Sequence, residues 1–135
     1  MSNEEFPGLP HTVQAITNRL TLIDNEALRA AVRKYLSFLR HSYLGFNIKS
    51  GYDGGDYWTN DKPGGNVVRL VHVNNQRSSH SFIVLRDFEK GGKQWKQGDI
   101  LMAAGWKTPA WNKARGNVMT GNYGGSSWTG AGYLT

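Results

Sequence analysis

The spacing of apolar residues changes character part-way along this chain, and that change limits the folds open to it. In the first third, apolar residues recur at helical spacing, first at Val13, Ile16, Leu20 and Ile23. A second helix is predicted from about Glu26 to Tyr43. Asp24 or Asn25 would form its N-cap, and Gly45 would end it. Together the two segments predict a helical hairpin over about residues 12–44.

From residue 66 onward the apolar residues instead follow the pattern of β-strands. The runs are rich in β-branched residues and are interrupted by polar or glycine-rich turns at 74–79 and at Gly91-Gly92. The predicted strands are residues 66–73, 80–88 and 99–104. Helices followed by strands predict an α+β fold in which a helical hairpin precedes an antiparallel β-meander. The β-rich part would span residues 66–104.

Glycine accounts for 17 of the 135 residues and is concentrated in two segments. The first, residues 45–65, is predicted to be a loop whose Tyr52, Tyr57 and Trp58 pack or bind. The second lies within a basic and aromatic segment and tail over residues 105–135. The tail has no apolar period, so we expect its removal after Thr120 to cost little stability. A chain of this length is predicted to form one domain, 1–135.

The net positive charge lies entirely in the second half of the chain. Residues 1–65 contain seven Lys or Arg and seven Asp or Glu, whereas residues 66–135 contain nine and three, for a net charge of +6. The second half also holds four of the five tryptophans, and no acidic residue follows Asp99. Basic groups attract phosphates, and flat aromatic rings stack on unpaired bases. The sequence therefore predicts single-stranded nucleic acid as the partner.

The candidate nucleic-acid-binding residues combine cations with aromatic rings. They are Lys90, Lys93, Trp95, Lys96, Trp106, Lys107, Trp111, Lys113, Arg115, Tyr123 and Trp128. In the alternative interpretation, Trp95 and Trp106 belong to the core of a small domain, and the lysines lie at its rim. The tail likewise has two interpretations, a segment that wraps a strand or a poorly ordered terminus.

Other classes of function find little support in the sequence. The absence of cysteine excludes disulfides, thiolate zinc sites and cysteine nucleophiles. The four histidines lack metal-ligand spacing, and Asp53 and Asp56 lack the ligand pattern of a calcium loop. We therefore expect no catalytic residue, metal or cofactor. The acidic N-terminus is unlike a signal peptide, and no apolar run approaches the roughly 18 residues of a membrane span, so we expect a cytoplasmic protein without a membrane partner.

A segment near the C-terminus resembles one found in small tailed-phage proteins. Residues 98–110 read G-D-I-L-M-A-A-G-W-K-T-P-A, and A-R-G-N-V follows at 114–118. The phage segment reads roughly G-D-x-x-K-A-A-S-W-K-x-P-A, then A-R-G-N-[IV], and ends in G-x-Y-L, which Gly132-Tyr133-Leu134 matches. Met102 and Gly105 stand where that segment has Lys and Ser, which removes one basic group.

In its size, its basic balance and its lack of cysteine, the chain also resembles the single-stranded-DNA-binding RNA-polymerase cofactors of podophages whose virions carry their own polymerase. This resemblance implies a fold outside the OB barrel, a preference for single-stranded DNA, and recruitment of the phage RNA polymerase to melted promoters in the cytoplasm of the infected host. The alternative is a phage interaction protein that binds a host protein through the same aromatic residues. The sequence leaves the oligomeric state open, self-association included.

Overall fold

The computed structural model describes residues 4–47 and 50–131. Within them the chain forms two helices, α1 (Val13–Leu20) and α2 (Glu26–Asn47), and six strands. The strands are β1 (Tyr57–Asn60), β2 (Val67–Val73), β3 (Arg77–Val84), β4 (Phe88–Lys90), β5 (Lys93–Trp95) and β6 (Ile100–Met102). The predicted α+β class, helices first and an antiparallel sheet after them, is confirmed.

Helix α2 begins as the sequence predicts and ends later. The side-chain oxygen of Asn25 accepts a hydrogen bond of 2.9 Å from the backbone N–H of Leu28, so Asn25 is the N-cap. The helix continues through Gly45 because a single glycine costs only about 1 kcal/mol in a helix. At its end, the side-chain amide of Asn47 donates to the carbonyl of Tyr43 (2.9 Å). This side-chain hydrogen bond adds to the backbone hydrogen bonds of the last turn of α2.

The main sheet is antiparallel, with strand order β1-β2-β3-β6, and β4 and β5 form a separate hairpin around Gly91-Gly92. Strand β1 lies inside the segment 45–65 that was expected to be a loop. Strand β3 starts within the expected turn 74–79, because Arg77 pairs with Val73 although its side chain is polar. It stops at Val84, and Phe88 belongs to the hairpin instead.

Alternating residues of the sheet face two different clusters. The helix face packs against α1 and α2 and contains Trp58, Val68, Leu70, Ile83 and Ile100. The hairpin face packs against the β4–β5 hairpin and contains Phe82, Val84 and Leu101, together with Trp95 of the hairpin. A bulge between Leu70 and Val71 shifts the register of β2 against β3.

The glycine-rich tail is part of the helix face. The ring of Tyr123 lies 5.0 Å from that of Tyr35 and 4.8 Å from that of Phe38. The ring of Trp128 lies 5.4 Å from that of Tyr43. Ala131 is buried against the same cluster. The expectation of a poorly ordered terminus is therefore corrected for residues 123–131, and the G-Y-L at 132–134 lies outside the described residues. That the tail wraps a nucleic-acid strand stays a prediction.

Candidate nucleic-acid interface

Trp106 lies over the sheet on a guanidinium group. The Arg69 Cζ is 3.8 Å from the centroid of the Trp106 ring. The backbone carbonyl of Trp106 accepts hydrogen bonds from Arg69 Nη1 and from Ser79 Oγ, both of 2.9 Å. These contacts fix the loop after β6, yet Trp106 remains 40% exposed. The ring is thus held in place and is accessible to a ligand.

Three arginines surround a single carboxylate next to this ring. Asp61 Oδ1 accepts from Arg19 Nη1 (2.9 Å) and Arg77 Nη2 (2.8 Å), and Oδ2 accepts from Arg69 Nη2 (2.5 Å). Burial acts to raise the pKa of Asp61, but the hydrogen bonds and charges of Arg69 and Arg77 outweigh it and hold that pKa below its ordinary value. The side chains of Arg19 and Arg77 are about two-fifths exposed, at 42% and 41%. The cluster therefore carries an excess of two positive charges, part of it facing solvent.

A shallow groove adjoins Trp106. Its volume is about 400 Å³, and it is lined by Arg77, Ser78, Ser79, Ala103, Ala104, Gly105 and Trp106. The lining combines one aromatic ring, several small side chains and the guanidinium group of Arg77. This arrangement provides a ring to stack on, hydroxyl groups to hydrogen-bond and a cation for an anionic group.

A second tryptophan lies on the hairpin face. Trp111 makes edge-on contacts with Phe88 (5.6 Å between ring centroids) and with Trp95 (5.3 Å). Lys90 Nζ is 5.3 Å from the centroid of the Trp111 ring, and Lys93 Nζ donates to the carbonyl of Asn112. Trp111 is half-buried. Lys90 and Lys93, both exposed, thus lie beside it.

The structure brings together only part of the predicted site. Lys107 and Lys113 are exposed, Arg115 is half-buried, and Lys96, 65% exposed, lies 3.8 Å from Asp87. Trp95 is only 3% exposed within the hairpin-face cluster, so its predicted stacking on a base is wrong. The core interpretation applies to Trp95 but not to the accessible Trp106. The small hairpin needs one large side chain to cover Phe82 and Leu101, and Trp95 fills that role.

Tyr123 and Trp128 belong to the helix face, away from this cluster. Both are half-buried, and they pack on rings of α2. The structure therefore does not bring these two predicted nucleic-acid-binding residues together with Trp106. A flexible backbone allowed them to fold back onto α2, and burial of their rings stabilises that arrangement.

Sequence reasoning missed Arg19, Arg69, Arg77 and Asp61. Arg69 stands between the buried Val68 and Leu70 in β2. Because side chains alternate between the two faces of a strand, this pattern could have indicated that Arg69 lies on the face away from the helices. Arg19 lies in the electrically neutral half of the chain, and it reaches Asp61 only through the packing of α1 on β1. No local pattern indicates that contact.

Comparison of the chain with family profiles, with curated proteins and with solved structures finds no match. Across residues 4–47 and 50–131, no three His, Asp or Glu side chains are grouped so that they could hold a metal ion. Neither α1 nor α2 has the length and apolar character that crossing a bilayer requires.

Proposed function

We propose that this protein binds single-stranded DNA across the hairpin face. The observation that carries the proposal is the Trp106 ring, 40% exposed and held on the Arg69 guanidinium beside a groove. An aromatic ring already fixed in position loses little side-chain freedom when a base stacks on it. Each stacked base contributes about 1–3 kcal/mol whatever its identity.

The cations around this ring would neutralise the phosphates on either side of the stacked base. Arg77 lies at the rim of the groove, and Arg19 shares its carboxylate partner. Lys90 and Lys93 flank Trp111 at the other end of the face. About four to six phosphate contacts would give a log–log salt slope of roughly −3 to −4 for single strands.

The preference for single strands follows from the chemistry of stacking. In a duplex the faces of the bases are already covered by their neighbours, so the Trp106 ring would have only base edges and phosphates to meet. We further propose that this binding serves phage transcription, by recruiting RNA polymerase to melted promoters in an infected bacterium. That role is what the resemblance to the podophage cofactors in size, basic balance and lack of cysteine implies, and the resemblance of residues 98–118 to the phage segment supports a phage context.

The test compares single-stranded DNA, duplex DNA and RNA of equal length in a mobility-shift titration. We expect the single strand to bind most tightly among the DNA forms, and Trp106→Ala to weaken it about ten-fold or more. Phe46→Ala is the matched control, because Phe46 is an aromatic residue on α2 with 72% exposure. Equal binding of the duplex, or wild-type affinity in Trp106→Ala, would overturn the proposal. If DNA binding showed a salt slope near zero and the protein instead bound a host-cell protein, the interaction-protein alternative would be favoured.

A further inference from the structure

A second cavity lies where four segments of the chain meet: the end of α2, the glycine-rich loop before β1, the β2–β3 turn and the tail. Its volume is about 480 Å³. It is lined by Tyr43, Asn47, Tyr52, Gly54, Asp56, Asn74, Asn75, Gln76 and Trp128. Small-molecule sites in proteins typically measure roughly 300–1,000 Å³, so the cavity has the size of such a site.

Three side-chain oxygens converge above Gly54 at one wall of this cavity. A Cβ placed on Gly54 would lie 2.9 Å from Asp56 Oδ1, 2.9 Å from the Tyr52 hydroxyl and 3.3 Å from the Tyr43 hydroxyl. The backbone N–H of Gly54 donates to the Tyr43 hydroxyl (2.9 Å). A larger residue at this position would collide with these oxygens. Glycine therefore lets a carboxylate and two hydroxyls approach one another.

Buried contacts hold this wall in a fixed shape. The fully buried Arg40 donates to both carboxylate oxygens of Asp53 (2.9 and 2.6 Å) and to the carbonyl of Asp56 (3.0 Å). Asp56 Oδ2 pairs with His72 Nε2 at 2.6 Å, and the His72 ring stacks on that of Trp58 (4.6 Å). Asp56 is itself only 7% exposed. Its second oxygen, Oδ1, is thereby left oriented towards Gly54.

The other walls carry neutral polar groups and aromatic rings. Four side-chain amides line the cavity: Asn47, Asn74, Asn75 and Gln76. Each amide offers both a donor and an acceptor, as a hydroxyl does. Tyr52 is 64% exposed, and Trp128 stands among the lining residues. Among the described lining residues Asp56 is the only charged one, which disfavours a phosphate-bearing ligand.

We infer that this cavity binds the ring of a neutral saccharide. Sugar hydroxyls would bond to Asp56, to the two tyrosine hydroxyls and to the amides, while an apolar face of the ring would lie against Tyr52 or Trp128. A cationic amine would also suit the aromatic rings and the carboxylate. It fits less well, because Asp56 is already paired with His72 and a small amine would make few contacts with the four amides.

The test is an NMR titration of the isotopically labelled full-length protein. The probes are glucose, galactose, mannose, N-acetylglucosamine and their disaccharides, with choline as the cationic comparison. We expect saturable shifts of the Trp128 indole signal and of the side-chain amides of Asn74, Asn75 and Gln76 with at least one sugar, at a Kd of about 1 mM or tighter.

Two variants of Tyr52 separate its ring from its hydroxyl. We expect Tyr52→Phe to weaken sugar binding about five-fold, as for the loss of one hydrogen bond, and Tyr52→Ala to weaken it more than about ten-fold. Tyr52 is exposed, so neither change should unfold the protein. Leu22→Ala, at an exposed apolar residue that does not line the cavity, is the matched control and should bind as the wild type does.

Three results would overturn the inference: no saturable shift with any sugar, shifts with choline alone, or wild-type sugar binding in Tyr52→Ala. The result is independent of the proposed DNA binding, which depends on the Trp106 side of the molecule. Tyr52→Ala should keep its affinity for single-stranded DNA, and Trp106→Ala should not.

Discussion

The helix face and the hairpin face are built from alternating residues of the same strands, yet they are completed in different ways. On the helix face, two helices and the tail cover Trp58, Ile83 and Ile100, and all three are fully buried. On the hairpin face, Trp95 closes only one end, and the remainder presents Arg69 beneath an accessible Trp106. A fully covered surface and a partly open one thus lie on opposite faces of the same strands, and position along the chain does not separate them.

Among the changes considered, removal of the tail should have the largest effect, because it would leave the helix face as incompletely covered as the hairpin face. Deletion after Thr120 would uncover the helix face by removing Tyr123, Trp128 and Ala131. The lack of an apolar period predicts a small cost, but the deletion removes two half-buried aromatic rings and a buried alanine. Because truncation of one buried aromatic residue typically costs 3–5 kcal/mol, we expect the free energy of unfolding to fall by about 5 kcal/mol. Urea denaturation followed by tryptophan fluorescence measures the change. An unchanged midpoint would show that the helix face is complete without the tail.

A pair of tryptophan substitutions tests the hairpin face itself. We expect Trp95→Ala to lower the free energy of unfolding by about 3–5 kcal/mol, because it opens the small cluster over Phe82 and Leu101. Trp106→Ala should lower it by only about 1 kcal/mol, the scale of an exposed cation–π contact. Denaturant unfolding of both variants under identical conditions gives the comparison. If the two substitutions lowered the free energy of unfolding equally, Trp106 would contribute as much to the stability of the fold as Trp95.

Local patterns were enough to predict much of the fold. The apolar period located both helices, Asn25 supplied the N-cap, and the β-branched runs located β2 and most of β3. Strand β1 was missed because Thr59 and Asn60 are polar although both are buried, and the segment before the strand is rich in glycine. The tail was misjudged because its aromatic residues pack on α2 across the whole length of the chain.

The candidate site was less predictable than the fold. Composition identified a basic and aromatic segment but not which of its rings is buried: Trp95 at 3% and Trp106 at 40% exposure have similar lysine-rich neighbours in sequence. The separation follows from tertiary packing, since Trp95 belongs to the β4–β5 hairpin whereas Trp106 follows β6. The arginine cluster around Asp61 joins α1 with three strand regions, and no single sequence window contains it.

The helix face contains a buried histidine that should make the stability of the protein depend on pH. His80 is buried there, with Nε2 placed 2.7 Å from the carbonyl of Ser127, and burial lowers the pKa of His80 from 6.5 to about 4. The unfolded chain therefore takes up a proton first as the pH falls. Stability is fully present above pH 6.5 and decreases between about pH 6.5 and 4, by up to about 3 kcal/mol.

Denaturation at a series of pH values, with NMR titration of the His80 ring, measures this effect. Asp53, Asp61 and Glu5 have pKa values below their ordinary range, so their contributions are present above about pH 4 and are lost at lower pH. The two effects therefore separate along the pH axis. A His80 ring that titrates near its ordinary pKa in the folded protein would contradict its burial in the neutral form.

The smallest expected effect concerns the lysines of the proposed DNA-binding surface. Lys107→Ala combined with Lys113→Ala should reduce the log–log salt slope for single-stranded DNA by about 1.4, at about 0.7 for each lost contact. Both lysines are exposed, so stability should be unchanged. Lys34→Ala, at an exposed lysine of α2, is the control. Fluorescence titrations at several salt concentrations measure the slope, and an unchanged slope would remove these two lysines from the surface.

The contact between the tail and α2 has a consequence for how the protein is made. The backbone N–H of Trp128 donates to the hydroxyl of Ser42 at 3.2 Å, across 86 residues. A ribosome therefore synthesises both helices and all strands of the main sheet before the residues that complete the helix face. During that interval the growing chain leaves the rings of Tyr35, Phe38 and Tyr43 without their final cover, and exposed apolar surface of this kind is what chaperones bind. The helix face is thus complete only after residues 123–131 have been synthesised and have packed on α2.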